Sequence, residues 1–360
     1  MQKQCIRCLN LVSDNHLDLC NVCISVADRI RISQSLPSAN DNLPRMLHDN
    51  YKDDSLVIGL SGGVDSSYIL AMCGEAGLKP KIFHFDNGWN TATANENIFK
   101  IVNKYKFELR TEVMHWPTFR SLQRSFLFAG VPDVELVTDH AIFALMVRNM
   151  KSNNGSVTLS GSNFQTEHGI NKKYFWNKLD FKNISAVNDR YECIKLDMYP
   201  RVSLNEWIRA RLSRSGSRVD IPLNQVNYSR TAALNFLKNA VDFRDYEFKH
   251  EESLFTKIYQ RTLLPKKFNY RKDIEHINAL IRNGEITKTD GLEKTKRFLN
   301  DAIMDDYEFE YFLRKLRFSD KEWESIANSK PKTHHDFPNL NYIYSPIRRL
   351  SLALGLSGAD

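Results

Sequence analysis

Nowhere in the chain is there an apolar run of about 18 residues, the length a helix needs to cross a bilayer, so no membrane span is expected. The amino terminus, Met1-Gln2-Lys3-Gln4-Cys5, has no apolar core of the kind that directs secretion, and a cytoplasmic location is expected. Cysteine is scarce after residue 23, where only Cys73 and Cys193 remain. Each reads as a small buried hydrophobe. A chain that begins Met1-Gln2 also offers no N-terminal nucleophilic cysteine for an in-chain glutaminase. Neither sign of charge is in large excess: 50 Lys and Arg face 43 Asp and Glu, a net +7. That balance permits an anionic substrate or RNA and demands neither. Repeats and low-complexity tracts are absent. With 42% hydrophobic and 26% charged residues over 360 positions, the composition is that of a globular protein with a real core and two or three units.

What is present is concentrated at Leu56-Val57-Ile58-Gly59-Leu60-Ser61-Gly62-Gly63-Val64-Asp65-Ser66-Ser67. An apolar run of strand character ends in a Ser-Gly-Gly loop. A helical pattern with Tyr68, Ile69, Leu70 and Met72 follows, until Gly74 and Gly77 stop it. Strand, glycine loop and helix start together form a phosphate cradle: Gly62 and Gly63 let the backbone approach an anion, and the helix dipole favours it. The Walker lysine is missing. In its place stand Asp65 and the hydroxyls of Ser61, Ser66 and Ser67. A carboxylate beside a triphosphate makes sense if it holds Mg²⁺. The pattern Ser-Gly-Gly-x-Asp-Ser after a buried strand resembles the pyrophosphate loop of the PP-loop ATP pyrophosphatases. That resemblance implies a doubly wound α/β fold with a parallel sheet, ATP cleaved between its α and β phosphates, and AMP transfer to a carbonyl or carboxyl oxygen.

Four cysteines fall in the first 23 residues, as Cys5-x2-Cys8 and Cys20-x2-Cys23. Two such turns supply the four thiolates of a tetrahedral Zn²⁺ site, with an iron–sulfur cluster or a redox dithiol as alternatives. Residues 10–19 are too few for a core of their own, so metal would supply the folding energy. Four thiolates leave no open coordination position, which points to a structural role. Residues 24–50 read as a helix followed by a polar linker, Ser33 to Asp41.

Lys81 to Asp86 reads as a second buried strand that ends at Asn87-Gly88-Trp89. Strand ends in a doubly wound sheet face the ligand crevice, which would place Asp86 at the nucleotide; capping its own turn is the alternative. Helices are expected over 93–105 and 138–150, and strands over 108–114 and 157–160. The last of these runs into Gly161-Ser162-Asn163-Phe164-Gln165-Thr166-Glu167-His168-Gly169. There a small residue allows close approach of a base or ribose, Asn163 can hydrogen-bond both ways, and Glu167 can orient metal, ammonia or a hydroxyl. Residues 170–235 are less legible. They hold a basic amphipathic segment over 204–213, with Arg209, Arg211 and Arg214 facing RNA, a nucleotide sugar or simply solvent, and a possible strand at 219–222. From Asn227 the chain turns helical and basic, with Lys249-His250-Glu251-Glu252-Ser253 and, later, Arg271-Lys272. Histidine beside a carboxylate suits proton transfer, and clustered cations suit a doubly anionic substrate. Helices joined by short turns follow over 274–323, one of them capped by Thr287-x-x-Asp290.

The order of these features resembles the N-acetyl sugar amidotransferases of bacterial surface-polysaccharide biosynthesis (WbpG-like), over nearly the whole chain. The features are the paired cysteines, the loop at 61–66, Gly-x-Asn-x-x-x-Glu-x-Gly at 161–169, Lys-His-x-Glu-Ser at 249–253, and Leu-Pro-Lys-Lys-Phe followed by Arg271-Lys272. Two departures are Asp273-Ile274-Glu275-His276, where the family carries a basic run, and residues 170–235, which hold no family motif. The resemblance implies adenylation of an acetamido group on a nucleotide-activated diacetamido uronic acid. Ammonia then gives an acetamidino group, with release of AMP and pyrophosphate, in O-antigen biosynthesis.

It implies ATP on Ser61, Gly62, Gly63, Asp65, Ser66, Ser67, Asp86, Gly161 and Asn163, and Mg²⁺ on Asp65. Lys249, His250, Arg271 and Lys272 would grip the acceptor, and Glu167 or Glu252 would take protons from ammonia. Ammonia would come from glutaminase and channel partners of HisH/HisF-like type. Three units are expected: a zinc-binding unit and linker helix over 1–50, the ATP-binding α/β domain over 51–235, and a C-terminal helical region over 236–360 that contributes to the sugar site. The rival reading is a tRNA sulfurtransferase, which generally needs cysteines in the PP-loop domain beyond those available here. A zinc-dependent nucleic-acid-binding module is the other, and nucleic acid is not expected as a partner.

Overall fold

The computed structural model describes residues 3–13, 16–152, 156–212, 218–300, 306–343 and 346. Two helices precede the sheet, α1 (Asn21–Ser35) and α2 (Ala39–Tyr51). The first β-α-β-α-β run is β1 (Leu56–Gly59), α3 (Val64–Glu75), β2 (Lys81–Asp86), α4 (Ala92–Tyr105) and β3 (Leu109–Val113). Two helices, α5 (Trp116–Ala129) and α6 (Leu136–Ser152), lead back to β4 (Val157–Leu159). Three more, α7 (Phe164–Glu167), α8 (Phe181–Tyr191) and α9 (Leu204–Leu212), lead to β5 (Arg218–Asp220). The remainder is helical: α10 (Arg230–Val241), α11 (Leu254–Arg261), α12 (Leu263–Phe268), α13 (Lys272–Arg282), α14 (Lys288–Asn300), α15 (Asp306–Leu316) and α16 (Asp320–Asn328).

The strands form one parallel sheet in the order β3-β2-β1-β4-β5. Ile58 of β1 pairs with Ile82 on one side and Leu159 on the other. These central strands are apolar because helices cover a parallel sheet, and no face is left for polar residues. The edge strand β3 instead buries none of its residues fully, and Arg110 and Glu112 are ion-paired on it at 2.6 Å, which blunts an exposed edge. Strand order reverses between β1 and β4, so a crevice opens at their carboxyl ends.

One core joins the sheet to α2, α3, α4 and α10 through Leu43, Leu47, Ile69, Ile101 and Leu237. Here the expected linker is corrected. Only residues 36–38 separate α1 from α2, and Leu43, Leu47 and Tyr51 are buried. Spacing of four puts those three on one face, a pattern masked in sequence by Asn, Asp and the internal Pro44. The second core gathers α5, α6, α8, α11, α12 and α15 around Trp89, whose indole donates to Gln123 Oε1 at 2.8 Å. Helix α9 covers the basic segment; Arg209 on it is exposed, and Arg211 and Arg214 lie outside the residues whose side chains are described. Among the described residues no helix is long and apolar enough to cross a membrane.

Candidate active site

The loop between β1 and α3 sits in the sheet crevice. Leu60 N–H donates to Phe83 O at 3.0 Å, which ties its start to β2. Gly62 has φ +83°, and a Cβ there would lie 2.7 Å from Ala94 O, so only glycine turns the chain this way. The turn is braced through the Gly62 carbonyl, which accepts from the Tyr246 hydroxyl at 3.2 Å. The Ser61 and Ser66 hydroxyls are 3.1 Å apart and Gly63 N–H donates to Ser61 Oγ, which gathers two hydroxyls over the start of α3. The loop after β4 closes against it: a Cβ on Gly161 would approach Ser66 N to 2.9 Å.

The C-terminal half enters this crevice through residues 249–254. Thr91 N–H donates to Glu252 O at 3.0 Å and Leu254 N–H to Trp89 O at 2.8 Å, so the segment is laid along the turn after β2. His250 takes a positive φ of 70° within it. Lys249 Nζ then reaches Asp65 Oδ2 at 3.1 Å, Glu167 Oε1 at 2.9 Å and Thr166 Oγ1 at 2.8 Å, joining loop, α7 and C-terminal region at one atom. Burial works to lower its pKa, but the two carboxylates outweigh that and hold it above the ordinary lysine range. Burial lowers the His250 pKa well below the ordinary value, helped by Lys272, His276 and Lys249, so the ring is neutral. Burial raises that of Glu252, which lies 3.1 Å from where a Gly63 Cβ would stand. A cavity of about 390 Å³ is lined by Ser61, Asp65, Ser66, Lys249, His250 and Glu252, together with Gly161 and Glu167. A larger one of about 610 Å³ adjoins it and includes Asn163 and Lys272 in its lining.

Several anticipated residues stand elsewhere. Asp86 Oδ1 accepts from Gly88 N–H at 2.8 Å, capping its own turn, and lines neither cavity. Ser67 is wholly buried in α3. Asn163 lines the larger cavity but its Oδ1 is taken up in capping α7, accepting from Thr166 N–H at 2.8 Å. Arg271 is taken up by Asp273, at 2.7 and 2.5 Å, and also lines neither cavity. Two residues that no motif announced are present instead. The buried Tyr228 donates to Asp65 Oδ1 at 2.5 Å, and Arg230, paired with Asp245 at 2.7 Å, lines the loop cavity. Both lie where the chain enters α10, Tyr228 just before it and Arg230 at its first position, and only the fold brings them to the loop.

A third cavity of about 280 Å³ touches His250 and Glu252 from the side of α6 and holds Glu135. Burial, reinforced by Asp139, pushes the Glu135 pKa up from 4.5 to about 7, against a 2.8 Å hydrogen bond from Thr256 Oγ1. The folded state thus holds this proton more tightly than the unfolded chain. Its contribution to stability is complete below pH 4.5 and is lost as pH rises through 7. Glu135→Gln should flatten the fall in melting temperature across that window. A fall as steep as wild type would show that another group causes it.

The four cysteines converge as a separate centre. Their sulfurs lie within 4.8 Å of one another, with Cys5–Cys23 at 3.8 Å, Cys8–Cys20 at 3.7 Å and Cys8–Cys23 at 3.5 Å. A tetrahedral thiolate site with metal–sulfur bonds of about 2.3 Å needs sulfurs about 3.8 Å apart, so the donor set fits a structural metal. The buried Arg282 of α13 donates to Cys23 Sγ at 3.4 Å and Cys8 Sγ at 3.6 Å, adding a cation against a thiolate cluster.

Residues 252–351 match the family described as "LPS biosynthesis protein WbpG-like, C-terminal domain". No curated protein matches the chain. Among solved structures, the NMN synthetase from Francisella tularensis is 13% identical, covering 73% of this chain and 92% of its own, with a TM-score of 0.39. The NH3-dependent NAD synthetase from Campylobacter jejuni is 14% identical, covering 61% and 92%, with a TM-score of 0.28. The U34-tRNA thiolase NcsA from Methanococcus maripaludis is 10% identical, covering 83% and 89%, with a TM-score of 0.33. The chain thus carries a WbpG-like C-terminal domain over residues 252–351, together with a glycine loop at the end of β1.

Proposed function

We propose that this protein is an ATP-dependent amidotransferase of O-antigen biosynthesis. It adenylates an acetamido group of a nucleotide-activated sugar, of the UDP-2,3-diacetamido-2,3-dideoxy uronic acid type, and replaces the activated oxygen with ammonia nitrogen. The observation that carries this reading is the meeting of loop 61–66 with Lys249, His250 and Glu252 in one cavity. An amide oxygen is a poor leaving group. AMP transferred to it supplies a good one, pyrophosphate departs, and the carbon then accepts ammonia to give acetamidino sugar and AMP.

In this reading the start of α3 and the hydroxyls of Ser61 and Ser66 receive the phosphates. Asp65 has the hard oxygen donors that suit Mg²⁺ and would hold it, and the ion would supply positive charge against the phosphates. Lys249 faces the same carboxylate and neutralises charge that develops on the α-phosphate. Glu167 is held by Lys249, which leaves Glu252 as the proton acceptor for incoming ammonia. Lys272 serves the acceptor; Arg271, held by Asp273, supports α13 instead.

We assign residues 1–50 to metal binding, 51–235 to the nucleotide and 236–360 to the acceptor side. The ammonia-supplying partners of HisH/HisF-like type belong to the proposal through the family resemblance. Neither Cys73 nor Cys193 lines a cavity described above, which speaks against sulfur transfer.

Incubation with ATP, ammonium chloride and the UDP-diacetamido uronate should release AMP and pyrophosphate in step, and the sugar should exchange O for NH by mass. ADP with orthophosphate, or sulfur delivered to tRNA, would overturn the reading.

A further inference from the structure

The 610 Å³ cavity has an unexpected wall: Val26 and Arg29 of α1, the helix that grows out of the four-cysteine unit. Phe164, Asn224 and Val219 of β5 also line it, as do Lys172, Phe175 and Lys272. The cavity shares Ser160, Ser162, Glu167 and His250 with the cavity over the glycine loop. A ligand in the larger space therefore meets one in the smaller at that common wall, which is where group transfer needs the two to touch.

The larger space is cationic. Arg29 lies over the Phe164 ring at 4.2 Å, and Lys272 is 5.1 Å from the Phe175 ring. The acid among the lining residues, Glu167, is already matched by Lys249 at 2.9 Å. A guanidinium is planar and matches a phosphate through two N–H groups at once, and the ring beneath it helps to hold it in place. The volume falls in the range of pockets that enclose a whole small ligand, roughly 300–1,000 Å³.

The position of α1 is set by the C-terminal helices. Arg282 joins the sulfurs of Cys8 and Cys23, Arg7 donates to Arg282 O at 2.8 Å, Leu9 N–H donates to Asn278 Oδ1 at 2.8 Å, and Lys288 Nζ donates to Cys5 O at 2.6 Å. These contacts fix the four-cysteine unit and α1 against α13 and α14, and α1 carries Arg29 to the cavity.

We infer that the larger cavity is the acceptor subsite, that it takes a nucleoside diphosphate group, and that Arg29, Lys172 and Lys272 grip its phosphates. The four-cysteine unit is then a wall of the substrate site and not only a staple for the amino terminus. The identity of the acceptor rests on the amidotransferase reading, whereas binding is measurable without turnover.

The test is calorimetric titration of the full chain with UDP and, separately, with ATP, for wild type, Arg29→Ala, Arg29→Lys and Lys172→Ala. Metal content and melting temperature serve as controls on folding. Loss of a charge-assisted contact should weaken UDP on the order of 10- to 100-fold in Arg29→Ala, with Arg29→Lys intermediate and ATP affinity unchanged. Wild type that ignores UDP, or Arg29→Ala and Lys172→Ala that bind it as wild type does, would overturn the inference. So would a loss confined to ATP, which would give the cavity to the adenosine. If UDP weakens as expected while no AMP is ever released, the amidotransferase reading falls and the subsite stands. If AMP is released and UDP affinity is unmoved, the reverse holds.

Discussion

Asp65→Ala lowers AMP and pyrophosphate release on the order of 1,000-fold while the chain stays folded; both halves of that result follow from where Asp65 sits. Its carboxylate lines the loop cavity between Tyr228 and Lys249. A metal that stabilises phosphate charge in the transition state contributes several kcal/mol, and each 1.36 kcal/mol is about a factor of ten in rate. Stability is less exposed, because Lys249 keeps Glu167 at 2.9 Å and Thr166 at 2.8 Å when Asp65 is gone. The remaining cost is the buried Tyr228 hydroxyl left without its acceptor, about 1–3 kcal/mol. Asp65→Asn preserves the shape and the tyrosine contact and should be as inactive as alanine if charge is what matters. Nucleotide products are followed by chromatography and folding by circular dichroism. Turnover within tenfold of wild type would remove Asp65 from the proposed chemistry.

Cys20→Ser is expected to act in the opposite sense, on the fold first and on activity only through it. Cys20 is both a member of the sulfur cluster and the N-cap of α1, its sulfur accepting from Cys23 N–H at 3.5 Å. Metal binding supplies roughly 10–16 kcal/mol in small zinc units, more than this short segment can replace from its own packing. Without metal, Arg282, only 2% exposed, loses its anionic partners, and stranding a buried charge costs about 3–5 kcal/mol. The effect should therefore spread from the amino terminus to α13. Metal per chain, measured by plasma emission, should drop from one to near zero, with a lower melting temperature and rapid proteolysis within residues 3–35. A variant that keeps its metal and melts like wild type would show that the four sulfurs do not act together.

These two sites were also the most legible in the sequence, for a shared reason. The glycine loop and the cysteine pairs are local: their geometry is set by residues a few positions apart. Backbone φ at Gly62, hydroxyls at Ser61 and Ser66, and Cys-x-x-Cys turns leave a signature at fixed spacing. The capping pair Thr287 and Asp290 is of the same kind, and each donates to the other at 3.1 Å. The residues that stand away from the cavities are held by neighbours two positions on, and spacing alone does not reveal which way those side chains turn. Arg271 looked available because nothing in the sequence says that Asp273, two residues on, faces it. Asp86 stands at a strand end, as expected, but the turn below it supplies a nearer donor than any ligand.

The sequence alone thus determined a glycine loop at the end of a buried strand and two Cys-x-x-Cys turns, because each is written within a few positions of chain. Only the tertiary structure decided which carboxylates Lys249 bridges, that Tyr228 and Arg230 reach the loop, and that α2 belongs to the sheet core. It also decided that the cysteine unit rests on α13 rather than standing apart. Each of these joins residues tens to hundreds of positions apart, and packing of the two cores, not spacing, selects which of them meet.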